Sequence, residues 1–114
     1  MSWFHPEEEQ QVGQLIHYDR AHPGTHYLIE YPDGEAYVCV YFTDYESENT
    51  GDLDIDVDDP LYDEFYQVAM MITNLARPGR RGYTESLAVD YRDFPASITD
   101  VDTGAVVYPA PVAP

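Results

Sequence analysis

The sequence predicts an α+β fold: an antiparallel sheet of about five or six short strands, with one main amphipathic helix at about 60–76 packed on one face. Three observations carry this. Two β-rich runs flank a Pro32-Asp33-Gly34 turn, apolar residues recur at helical spacing after Pro60, and alternating runs after residue 83 are punctuated by proline and glycine. A chain of 114 residues fits a single compact acidic domain, 1–114, and can bury a core without a disulfide or metal staple.

Residues 1–13, with Pro6 followed by Glu7-Glu8-Glu9, read as a loosely held arm from which Trp3 and Phe4 can dock on the body. Gln14 to Tyr18 is short and mixed, compatible with a first strand or a helical turn, and His22-Pro23-Gly24 is turn chemistry. Residues 26–31 and 35–45 form a hairpin. Pro32 presets φ, Asp33 suits the next turn position, and Gly34 accepts a positive φ. On the second run Ala36, Val38, Val40 and Phe42 share one face, assigned to the core. Glu35, Tyr37, Cys39, Tyr41, Thr43 and Tyr45 share the other, partly wet face.

Between Thr43 and Glu64 lie ten of the chain's 22 carboxylates and no Lys or Arg. Within this segment Leu53, Ile55 and Val57 alternate with Asp52, Asp54, Asp56 and Asp58, the pattern of an edge strand with its carboxylates facing out. Asp58 or Asp59 then serves as N-cap and Pro60 as first residue of the helix, whose apolar stripe is Leu61, Phe65, Val68, Ala69, Ile72, Leu75 and Ala76. Arg77-Pro78-Gly79 ends it. Residues 83–91 alternate as a strand, preferred over a short helix. Residues 97–101 and 105–108 form a last hairpin around Asp102-Thr103-Gly104, and residues 109–114 are a second loosely held arm. The expected core is Leu28, Val38, Val40, Phe42, Leu61, Phe65, Val68, Ile72, Leu75, Leu87, Val89, Ile98 and Val106.

The formal charge is −17, from 22 acids against five arginines and no lysine. That balance disfavours direct binding to nucleic acid or an anionic membrane and suits a basic protein surface. The single cysteine, Cys39, excludes an internal disulfide and fits a reducing compartment. The first residues carry no secretory pattern, and no apolar run reaches the ~18 residues a membrane span needs, so a cytoplasmic location is expected.

Motifs for chemistry are weak. Counting an EF-hand loop from Asp52 puts Val57 where the turn glycine belongs. His22 and His26 have a zinc-like spacing, but Pro23-Gly24 breaks the helix it requires. Cys39 sits mid-strand without a neighbouring cation to activate it, and no glycine-rich phosphate loop occurs. Arg77, Arg80 and Arg81 read as counterions to local acids. No enzyme activity, cofactor or metal is expected.

The remaining reading is a non-enzymatic binder that acts as an inhibitor, of the immunity or DNA-mimic type, on a basic protein: a toxin, a nuclease or a nucleic-acid-binding protein. Glu46, Glu48, Asp52, Asp54, Asp56, Asp58, Asp59, Tyr41, Tyr45 and Tyr62 form the contact set. Carboxylates in a strand would lie ~7 Å apart, near the phosphate spacing of one DNA strand. Small acidic immunity proteins and DNA mimics share this size and charge, an analogy of composition alone. The alternative is a divalent-cation-binding or structural module, for example in a phage or other assembly, with a small enzyme as the third reading.

Overall fold

The computed structural model describes residues 3–110. After a 3-10 turn at Pro6–Glu9 come helix α1 (Val12–Ala21), β1 (His26–Glu30), β2 (Ala36–Glu48), the short helix α2 (Thr50–Leu53), β3 (Glu64–Arg77) and β4 (Ser86–Val89). A second 3-10 turn (Tyr91–Asp93) leads to β5 (Ser97–Asp100) and β6 (Val106–Tyr108). Six strands form one sheet in the order β4-β3-β2-β1-β5-β6, antiparallel throughout. Only the β4–β5 connection is not a hairpin; it carries the chain back so that β5 pairs with β1.

The fold class is the predicted one, but the helix is elsewhere. Residues 64–77 form a strand, and the predicted helix at about 60–76 does not exist. The reason is that this run is apolar on both faces. Phe65, Val68, Ala69 and Ile72 fit a 3.6-residue period, while Tyr66, Val68, Met70 and Ile72 fit a period of two. The 13-residue β2 decides between them, because its backbone groups need a partner along their whole length and β3 supplies it, from Ala36↔Arg77 to Glu48↔Glu64.

The main helix is α1, in the stretch that reads as short and mixed. Val12, Leu15 and Ile16 make its buried stripe. Gly13 allows its close approach to the N-terminal residues, since a Cβ there would lie 3.0 Å from the Trp3 ring. The segment before it is tied down: Glu8 is fully buried and accepts hydrogen bonds from the backbone N–H groups of Phe4 (2.8 Å), His5 (2.8 Å) and Tyr66 (2.6 Å). β4 begins pairing with β3 only at Val68, and Glu8 supplies Tyr66 with the acceptor a longer β4 would have given. The expected arm at 109–114 falls mostly outside the described residues.

Both predicted hairpins form, with Gly34 (φ 97°) and Gly104 (φ 81°) at their turns, and residues 86–89 are a strand. From Tyr37 to Phe42 the faces of β2 are the reverse of the expectation, while Ala36 is buried and Thr43 and Tyr45 are exposed as expected. Tyr37 and Cys39 are fully buried beside Tyr27 and Ile29 of β1, under α1, while Val38 and Val40 are half-buried and Phe42 is 67% exposed. A tyrosine-rich face can be a core face when each hydroxyl finds an acceptor, and here the hydroxyls of Tyr27 and Tyr37 reach Asp19 and Glu35. The predicted core therefore splits. Phe65, Val68, Leu87, Val89 and Ile98 are buried; Leu28 and Ile72 are half-buried; Leu61, Leu75 and Val106 are exposed.

A β-bulge at Phe42 adds a second correction. Tyr41 pairs with Met70 and Thr43 with Ala69, so Phe42 is an extra residue and the strand changes face there. Tyr41 and Tyr45, which simple alternation puts together, lie on opposite faces.

Candidate functional site

The acidic stretch is a loop closed at its neck. Glu48 and Glu64 are the last paired residues of β2 and β3, and Asn49, buried just beyond them, clamps the entrance. Its backbone N–H donates to the Asp63 carbonyl (3.2 Å), its Oδ1 accepts from the Asp63 N–H (2.9 Å), and its Nδ2 donates to the Leu61 carbonyl (2.8 Å). Residues 50–62 thus form a compact excursion of the Ω-loop kind.

Inside it, the expected edge strand at 52–58 is absent. The chain makes α2, leaves it through Asp54 in the left-handed region (φ 54°), and continues as turns closed by Asp59 N–H to Asp56 O and Tyr62 N–H to Asp59 O. Asn and Asp tolerate that left-handed conformation better than other side-chain-bearing residues. The expected N-cap at Asp58 or Asp59 is instead a local turn, where Asp59 Oδ1 accepts the Leu61 N–H at 2.8 Å. Without a strand there is no row of carboxylates at regular ~7 Å spacing, and the likeness to phosphate spacing along DNA does not apply.

The apolar residues of the loop point outward. Leu53 is 51%, Val57 69% and Leu61 68% exposed, where strand alternation had placed the first two, and the helical stripe the third, facing a core; Ile55 is half-buried. Around them the acids differ in freedom. The Thr50 hydroxyl, and then the Thr50 N–H that Glu48 accepts at 2.7 Å, hold the Glu48 carboxyl below the usual range. Asp52 pairs with Arg92 at 2.9 Å. Glu46, Asp54, Asp56 and Asp58 are exposed and make no side-chain hydrogen bond among the described residues.

Of the three tyrosines in the contact set, Tyr62 donates to Glu64 (2.8 Å) beside the neck, and Tyr45 donates to Gln67 (2.7 Å) on the sheet face away from α1. Tyr41 stands apart from the loop. It is half-buried on the α1 side, its hydroxyl on Asp44, which also accepts from Tyr66 at 2.9 Å.

The other charged clusters are structural. Arg81 gathers Asp33 (2.8 Å), Glu35 (2.8 Å) and Asp93 (2.7 Å) and lies over the Tyr31 ring. Arg92 holds the buried Asp90 through Nε and Nη2, both at 2.9 Å, and lies over Phe65; Arg77 pairs with Glu30. Cys39 is buried, which pushes its thiol pKa up to about 12 and keeps it protonated. Among the described residues no three His, Cys, Asp or Glu side chains converge as metal ligands would, and no helix is long and apolar enough to cross a membrane. Comparisons with family models, curated proteins and solved structures return no match to this chain.

Sequence reasoning passed over Asn49 and the exposure of Leu53, Val57 and Leu61. The only available signal for the former was its place among turn-forming residues, Glu48-Asn49-Thr50-Gly51.

Proposed function

We propose that this is a non-enzymatic, cytoplasmic binding protein that engages a basic protein partner through the loop between β2 and β3. The partner presents an apolar cleft rimmed by lysine or arginine: Leu53, Val57 and Leu61 enter the cleft, and Asp54, Asp56 and Asp58 meet the rim. The single observation that supports this reading is the outward placement of those three apolar side chains among free carboxylates. Exposed apolar groups rimmed by charge are characteristic of protein–protein contacts, with apolar anchors supplying affinity and the charged rim supplying rate and selectivity. Anchoring by the neck keeps the loop ordered before binding, which lowers the entropic cost of association.

The test is capture from the native host's extract at low salt with three baits: the wild-type chain, Asp54→Asn/Asp56→Asn/Asp58→Asn, and Leu53→Ser/Val57→Ser/Leu61→Ser. A basic protein retained by the wild type should be lost from both variants and released by high salt. Equal recovery on all three baits would sink the proposal.

A further inference from the structure

The sheet face turned away from α1 is a second surface, built from different residues. The register lays it out in rows. Val106, Thr99, Leu28, Val38 and Asn74 line up across β6-β5-β1-β2-β3; His26, Val40, Met71 and Ser86 line up across β1-β2-β3-β4; Thr43, Ala69 and Ala88 line up across β2-β3-β4. None of these side chains is buried, whereas the alternate positions Tyr27, Ile29, Cys39, Met70 and Leu87 are. No Asp, Glu or Arg occurs in the three rows, although the chain carries 22 acids and five arginines. The Glu30–Arg77 ion pair closes one end. An antiparallel sheet with one wet face ordinarily alternates polar residues onto that face. Of the twelve side chains in these rows seven are Val, Leu, Met or Ala, beside His26, Thr43, Asn74, Ser86 and Thr99.

We infer that this face is a self-association surface, and that its occupant is a second copy of the chain stacked sheet to sheet about a two-fold axis. Charge argues for it: a basic partner would find no carboxylate to pair with in these rows, whereas a mostly aliphatic face without Asp, Glu or Arg matches its own copy. Shape argues for it as well. Phe42 stands out on its bulge, and beside it lies a shallow depression lined by Tyr45, Ala69, Met71, Ser86 and Ala88. A two-fold axis brings the knob of each copy to the hollow of the other, the self-complementarity an isologous interface needs. Area permits it. β2 and β3 have 13 and 14 residues. The other four strands have three to five residues, so at ~3.3 Å per residue and ~4.8 Å between strands the sheet covers roughly 680 Å² in plan, and an interface near the ~800 Å² per partner of a stable pair takes nearly the whole face. The stacked sheets would lie ~10 Å apart.

The association has a diagnostic salt dependence. Two chains of charge −17 repel through their rims, and salt screens that repulsion, so dimerisation strengthens as salt rises. Binding of a basic partner by the acidic loop weakens under the same change, so the two surfaces fail or succeed separately. Analytical ultracentrifugation of the 114-residue chain over a concentration series, at low and high salt, tests this alongside Phe42→Ser, Met71→Ser and Asp54→Asn/Asp56→Asn/Asp58→Asn. Far-UV circular dichroism verifies that each variant is folded. The expected result is a reversible dimer favoured by salt. Phe42→Ser should weaken it by at least about tenfold, Met71→Ser should weaken it also, and the loop variant should dimerise as well as or better than wild type. A monomer at every concentration and salt, a dimer dispersed by salt, or a dimer indifferent to both Ser variants would overturn the inference.

Discussion

Tyrosine does much of the work that lysine does elsewhere. With 22 carboxylates and five arginines, most acids have no cation available, and seven of the eleven tyrosines donate their hydroxyls to carboxylates instead: Tyr18, Tyr27, Tyr37, Tyr41, Tyr62, Tyr66 and Tyr91. Five of them, Tyr18, Tyr27, Tyr37, Tyr41 and Tyr66, couple an apolar ring packed in or against the core to a donor that satisfies an acid. Burial and then the bond to Asp63 push the Tyr91 hydroxyl up to about 12, so it remains a donor at neutral pH. At the loop neck Asn49 makes all three clamp bonds, and its replacement by Ala leaves the Asp63 N–H and the Leu61 carbonyl without their partners. Asn49→Ala should cost about 1–3 kcal/mol, measurable by urea unfolding, and should speed amide exchange across residues 50–62. Unchanged exchange there would show that the neck is held by something else.

Among elements, the loop between β2 and β3 is separable from the sheet. No residue from 50 to 62 is buried, and the strands meet at Glu48↔Glu64 before it starts. Replacing 50–62 by Asn-Gly should therefore leave the circular dichroism and cooperative unfolding intact, because shortening a loop this far changes closure entropy by only about 2 kcal/mol. Capture of a basic partner should be abolished. Unfolding of the shortened chain would instead make the loop a support of the sheet. The loop's shape could not be read from its alternation. Period two in Leu53-Asp54-Ile55-Asp56-Val57 states which side chains differ, not that a neighbouring strand exists to pair with them. Likewise, nothing in Tyr41-Phe42-Thr43 announces the bulge that sends Tyr41 and Tyr45 to opposite faces.

For the whole molecule, charge sets how stability depends on conditions. Burial alone would lower the His5 pKa, but the hydrogen bond and charge of Asp63, the Glu64 carbonyl and the Glu8 charge together raise it above 6.5. A raised histidine contributes stability that is complete below about 6.5 and is lost as pH rises through the higher folded-state value. The opposite holds for carboxylates held below the usual range. These are Asp100, chiefly by the Tyr18 hydroxyl, and Glu35, where bonds from Arg81 outweigh burial. Their contribution is present above about 4 and lost as pH falls through their lower folded-state values. Stability should thus peak at mildly acidic pH. The melting temperature should fall from pH 6 to pH 8, and His5→Gln should flatten part of that fall, leaving the part due to self-repulsion, which added salt reduces. A His5→Gln profile parallel to wild type would remove His5 from this account.

By itself the sequence determined the α+β class, the hairpin turns at Gly34 and Gly104, the strand at 86–89 and the separation of a highly acidic segment from the rest, because turn chemistry and composition are local. Only the tertiary structure decided that residues 64–77 are a strand, that Val12–Ala21 is the helix, that Tyr37 and Cys39 of β2 rather than Val38 and Val40 face the core, and that Leu53, Val57 and Leu61 face solvent. Those outcomes depend on which backbone groups find partners across the sheet and on which face α1 covers. A run apolar on both sides fits either period until its neighbour is in place.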